Sequence, residues 1–157
     1  MKRQRVVDTV SFDGTPVFRG LALMLGDARR HGWGGQLNSA DRRKGVAEKY
    51  GKMSQAFLYA GWIAHRAGFN PANPPGRSTH ELRSDGVPYR GPVGRPLLWF
   101  QLGLDVSDST DLLFVLNHLG YTAFRPYKSG SEVHHLNLRT SPYKNLLKRK
   151  QWKRGGK

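Results

Sequence analysis

With 157 residues, no Cys, 19 Gly and 9 Pro, the chain is sized for one compact domain rich in turns. Disulfides, thiol nucleophiles and Cys-ligated metals are excluded, so any metal must sit on His and carboxylates. The formal charge of +15 is carried largely by the ends: residues 1–5 hold three basic side chains and residues 144–157 hold seven with no acid, which leaves the body only mildly basic.

In chain order, Thr15-Pro16 predicts a helix N-cap with Pro in the first turn, followed by Val17, Phe18, Leu21, Ala22, Leu25 and Ala28 at helical spacing and a stop at Gly32. A short strand over residues 36–38 runs into the polar turn Ser39-Ala40-Asp41-Arg42-Arg43. The next helix spans about residues 53–67, with Met53, Phe57, Ala60, Ile63, Ala64 and Ala67 as its core face and Gly68 as its stop. Residues 70–76 and 81–96 are too dense in Pro and Gly for regular structure. Residues 97–106 have the apolar density of a buried strand, with Asp105 out of character near its end. Asp108 is placed to cap a helix over residues 109–119 that stops at Gly120, and residues 121–124 and 133–138 read as a last pair of strands.

The expected fold is therefore α+β, a small antiparallel sheet with helices packed against it. Its parts are a basic N-terminal segment (1–15), one domain (16–140) and an unstructured basic tail (141–157). No stretch reaches the roughly 18–20 apolar residues of a membrane span, and residues 1–5 are followed by no apolar signal core, so neither membrane insertion nor unaided secretion is expected.

Among the six His, His31, His65 and His118 have ordinary surface or helix-end explanations. His80, His134 and His135 stand beside loops or strand ends with acids near them in sequence. A catalytic zinc needs three protein ligands and one open position, and His80, Asp105 and one of the two paired His supply that set. Glu132 is left to take a proton from water acidified by the metal. As single residues, His80 is equally a loop residue and Asp105 a turn residue; metal binding explains them jointly.

Read as motifs, Ser78-Thr79-His80, Gly103-Leu104-Asp105-Val106 and Glu132-Val133-His134-His135-Leu136 resemble the zinc D-alanyl-D-alanine carboxypeptidase and endopeptidase family, which includes VanY-like enzymes and phage endolysins. The family pattern is Ser-x-His, then Gly/Ala-x-Asp, then Glu-x-x-His. Upstream, Asn38-Ser39-Ala40-Asp41-Arg42 is similar to its Ser-Gly-Tyr-Arg stretch, and Gln55 with Leu58-Tyr59 to its helical Gln motif. The likeness covers roughly residues 20–138.

The resemblance implies that His80, Asp105 and His135 bind Zn2+, that Glu132 is the general base, and that Arg42 holds substrate or developing negative charge. Ser39, Gln55 and Ser78 are then substrate-side residues, with His134 a nearby transition-state donor or substitute ligand. Two departures stand out: a Gly- and Pro-rich insertion separates His80 from Asp105, and His134 occupies a position often aromatic in the family. Strict strand alternation would put His134 and His135 on opposite faces, so a bend is expected there.

The activity implied is zinc-dependent cleavage of peptidoglycan stem or cross-link peptides. The setting is that of a phage lysin kept in the host cytoplasm until a holin releases it, or of a virion-associated wall hydrolase. The partners are peptidoglycan and other virion proteins, with the basic ends drawn to an anionic wall. Two rivals are a basic nucleic-acid-binding protein, suggested by the charge and by Trp152 among the tail's Lys and Arg, and a virion structural component that keeps the peptidase fold.

Overall fold

The computed structural model of the chain describes residues 9–72, 80, 103–126, 134–138 and 142–149. The fold is α+β, with two small antiparallel sheets. The first is a hairpin of β1 (Thr9–Phe12) and β2 (Thr15–Phe18). Its two-residue turn is Asp13-Gly14, both at positive φ (54° and 72°), the geometry that matches the twist of hairpin strands and that Asp-Gly adopts readily. Residues 9–15 thus belong to the fold rather than to a separate N-terminal segment.

The hairpin corrects the expected helix start. Thr15 and Pro16 pair with Phe12 and Ser11 in β2, and helix α1 runs only from Arg19 to Arg30. Pro is tolerated in a two-stranded edge ribbon, where each strand has an unpaired side. Within α1, Leu21, Met24, Leu25 and Ala28 are buried at the spacing of one helical face. Gly32 ends the helix as expected: at φ 104° it lets its own N–H reach the Arg29 carbonyl and the Trp33 N–H reach that of Ala28.

The second sheet has the order β3-β4-β6-β5, formed by β3 (Leu37–Ser39), β4 (Gly103–Val106), β5 (Ala123–Phe124) and β6 (His135–Leu138). All its pairings are antiparallel. Period-two alternation divides the strands. Leu104, Val106, Leu136 and Leu138 enter the core with residues of α1, with Leu112 and Leu116 of α4 (Ser109–His118), and with Leu146 of α5 (Pro142–Lys148). Asp105, His135 and Asn137 alternate with them and are buried as well.

Three further expectations change. After the short helix α2 (Lys44–Lys49), helix α3 spans only Gln55–Ile63, and its stripe is not core: Met53, Phe57 and Ile63 are exposed, while Gln55 and Gly61 are buried. Chain reversal comes at Ala64-His65, with His65 at φ 55°, before Gly68 is reached. Asp108 stands at the N-cap of α4 but in the left-handed region and without a side-chain capping bond. Residues 142–148, expected to be unstructured, form α5 packed on α1. Residues 97–102 of the expected long strand and the basic tail from residue 150 lie outside the described residues.

A candidate metal centre

The site is built on the polar face of the four-stranded sheet. Leu37 pairs with Val106 and faces the core, and strict alternation would send Ser39 the same way. A register shift between Leu37 and Ser39 instead pairs Ser39 with Asp105. The chain then passes through Ala40, Asp41 and Arg42, whose backbone is tied on three sides. Asp41 N–H donates to the Pro16 carbonyl, Arg42 N–H to that of His80, and Gln55 N–H to that of Arg42. Ser54 caps α3 by accepting from Phe57 N–H, which fixes Gln55 at the first helical position.

Three side chains converge. Asp105 Oδ1 lies 2.8 Å from His135 Nδ1 and 3.4 Å from His80 Nε2, and the two ring nitrogens are 3.1 Å apart. Each residue is under 10% exposed, and the group can hold a metal ion. Donor atoms about 2.0–2.2 Å from a tetrahedral ion lie roughly 3.3–3.6 Å from one another, so an opening of about half an ångström or slightly more at the closest pair admits one.

What lies behind each ligand fits as well. His80 Nδ1 donates to the Ala40 carbonyl at 2.9 Å, which leaves the Nε2 lone pair facing the group. His135 Nε2 is 2.7 Å from Asn137 Oδ1. Asp105 Oδ2 accepts from Arg42 Nη2 at 2.5 Å, and the same guanidinium donates to Ser39 Oγ at 2.8 Å and to Gln55 Oε1 at 3.1 Å. Burial, aided by the Arg42 charge and opposed by Asp105, pushes His80 down to about 4, so it is neutral near pH 7, as a ligand must be. Burial alone would raise Asp105, but His80, hydrogen bonding with His135, and Arg42 outweigh it and hold the carboxyl well below the usual carboxylate range.

Comparisons with protein-family models, with curated proteins and with solved structures give no match.

Of the residues singled out by sequence, the structure brings together His80, Asp105, His135, Arg42, Ser39 and Gln55. Of the paired His, it is His135 that joins the group. β6 begins at His135, and His134 stays at the rim, its side chain 45% exposed and Nε2 3.8 Å from Asp105 Oδ1. Arg42 is packed behind Asp105, which makes it first a residue that orients that carboxylate. Glu132, Ser78 and the insertion from residue 81 to residue 102 lie outside the described residues.

Sequence reading missed two participants, the Ala40 carbonyl and Asn137. Asn137 carried a signal: two residues after His135 in a strand, it shares that residue's face. His31 sits just past the end of α1, 2.8 Å from the Asp27 carbonyl, and His118 stacks on Phe114, in keeping with helix-end and surface roles.

Proposed function

We propose that this protein is a zinc-dependent peptidase of the D-alanyl-D-alanine carboxypeptidase and endopeptidase type, acting on peptidoglycan peptides. The observation that carries the reading is the convergence of His80 Nε2, Asp105 Oδ1 and His135 Nδ1 in one buried group, with a hydrogen-bond partner behind every ligand. Zinc, when bound, supplies Lewis acidity toward a carbonyl and acidifies water. Two His and one carboxylate in a chain without Cys is a donor set suited to that ion, and three ligands leave a position open.

The chain's own residues supply the rest. Arg42 holds Asp105 by its outer oxygen, so that Oδ1 keeps its aim at the imidazoles. Glu132, three residues before His135, takes the proton from the attacking water and hands it to the leaving amine. His134 would donate to a substrate oxygen, a role supported by its exposure at the rim beside Asp105. The substrate class, and the role of a phage lysin or virion-borne wall hydrolase, follow from the motif resemblance.

The test is metal analysis of the purified protein with peptidoglycan digestion by wild type and Glu132→Ala. About one zinc per chain, with new amino termini released by wild type only, is the expected result. No metal uptake in zinc-supplemented, chelator-free buffer would overturn the reading. Zinc uptake without release of amino termini would remove the peptidase and leave a metal site.

A further inference from the structure

Asn137 is an unusual occupant of its position. Asn is depleted from strands, and a buried side-chain amide must have its polar atoms paired, yet Asn137 sits in β6, between β4 and β5, at 4% exposure. In the same strand, Leu136 and Leu138 face the core, as alternation requires. Asn137 lies on the other face beside His135, with its Oδ1 2.7 Å from Nε2 of that ring.

The His135 ring is contested from both sides. At Nδ1, Asp105 Oδ1 lies 2.8 Å away, and a carboxylate there draws the ring proton onto Nδ1, the one tautomer that cannot ligate through this atom. At Nε2, an amide oxygen can only accept, so it favours the proton on Nε2 and leaves the Nδ1 lone pair aimed at His80 Nε2 and Asp105 Oδ1. An imidazole with one ring proton can satisfy only one side: Asp105 Oδ1 and the His80 Nε2 lone pair, 3.1 Å away, compete for that proton at Nδ1, and Asn137 Oδ1 competes at Nε2.

We propose that Asn137 is a positioning residue that keeps the His135 proton on Nε2 and so commits Nδ1 to the metal. This rests on the preceding reading only in requiring that a metal binds at His80, Asp105 and His135. Peptidase activity is not needed. Outer partners of this kind change metal affinity by about 10–100-fold.

Two measurements on the full chain decide it. In zinc-loaded wild type labelled with 15N-His, long-range proton–nitrogen correlation is expected to show His135 protonated at Nε2 and metal-bound through Nδ1; zinc on Nε2 would overturn the inference. In a chelator competition with Zn2+ alone, Asn137→Leu is expected to bind about 10–100-fold more weakly. Asn137→Asp, which keeps an acceptor oxygen, is expected to bind at least as tightly as wild type. An Asn137→Leu protein that melts like wild type and binds zinc equally well would also overturn it. If Asn137→Leu does not fold, the wild-type spectrum and Asn137→Asp still decide. A wild type that binds no zinc would instead sink the metal reading itself, so the two failures are distinct.

Discussion

Asp105 divides its two oxygens between two tasks: Oδ1 faces the imidazoles and Oδ2 takes the Arg42 guanidinium. The Arg42 and Asp105 side chains are 17% and 10% exposed, so this is an ion pair largely removed from solvent. Removing one partner of such a pair strands the other's charge, and Arg42→Met is expected to cost about 3–5 kcal/mol in the metal-free protein, measured by urea unfolding. A loss below about 1 kcal/mol would mean the pair is screened like a surface one. At this scale the grouping of His80, Asp105 and His135 was legible, because the order and setting of these residues gave them a joint explanation that none has singly. The choice of His135 over His134 was legible only through motif spacing, since alternation alone argued against it. The Ala40 carbonyl was not legible, because backbone acceptors leave no mark in a sequence.

The elements were harder to read, for a physical reason visible in α3. Apolar residues occupy more than one side of Gln55–Ile63, so hydropathy does not choose a face. The buried side is set by Gln55 reaching Arg42 and by Gly61 lying under the Phe69 ring. In the hairpin, Thr15-Pro16 carries a helix-start signal, but Asp13-Gly14 between Phe12 and Val17 was the stronger hairpin signal and prevailed. Helix α5 hid in a run of positive charge, where long-range contacts hold it: Leu146 in the core, Asn145 on the Gly120 carbonyl, and Arg149 just past its end. Arg149 donates to Asp27 through Nε at 2.5 Å and Nη2 at 3.0 Å, and Tyr121 Oη donates to the same fully buried carboxylate at 2.7 Å. Burial opposes the charge on Asp27, but the bonds from Arg149 and Tyr121 win and lower its pKa. Arg149 itself is part-exposed, so Arg149→Ala is expected to cost about 2–3 kcal/mol, somewhat less than a wholly buried pair. Hydrogen exchange should then speed up in α5 first; unchanged protection there would show that Leu146 and Asn145 seat the helix without Arg149.

For the whole molecule, proton and metal act on one equilibrium. His80 falls from 6.5 to about 4 on folding, so the unfolded chain binds its proton more readily. The contribution of a neutral His80 is complete above pH 6.5 and is lost as pH falls toward 4, a change on the order of 3 kcal/mol. Asp13, Asp27 and Asp105 are all lowered from 3.8, so their contributions are complete above that value and disappear only in stronger acid. In chelator, wild-type stability should therefore decline in two stages, and His80→Asn should lack the first. Zinc bound as proposed should change the first stage, because only the folded state gathers His80, Asp105 and His135: at a thousandfold excess over its dissociation constant it would add about 4 kcal/mol. That gain must fade as protons compete for the ligands. The difference in urea midpoint between zinc and chelator should thus be large at pH 7.5 and vanish by about pH 4, the value at which His80 titrates in the folded chain. A zinc effect that persisted unchanged into acid would place the ion on other residues.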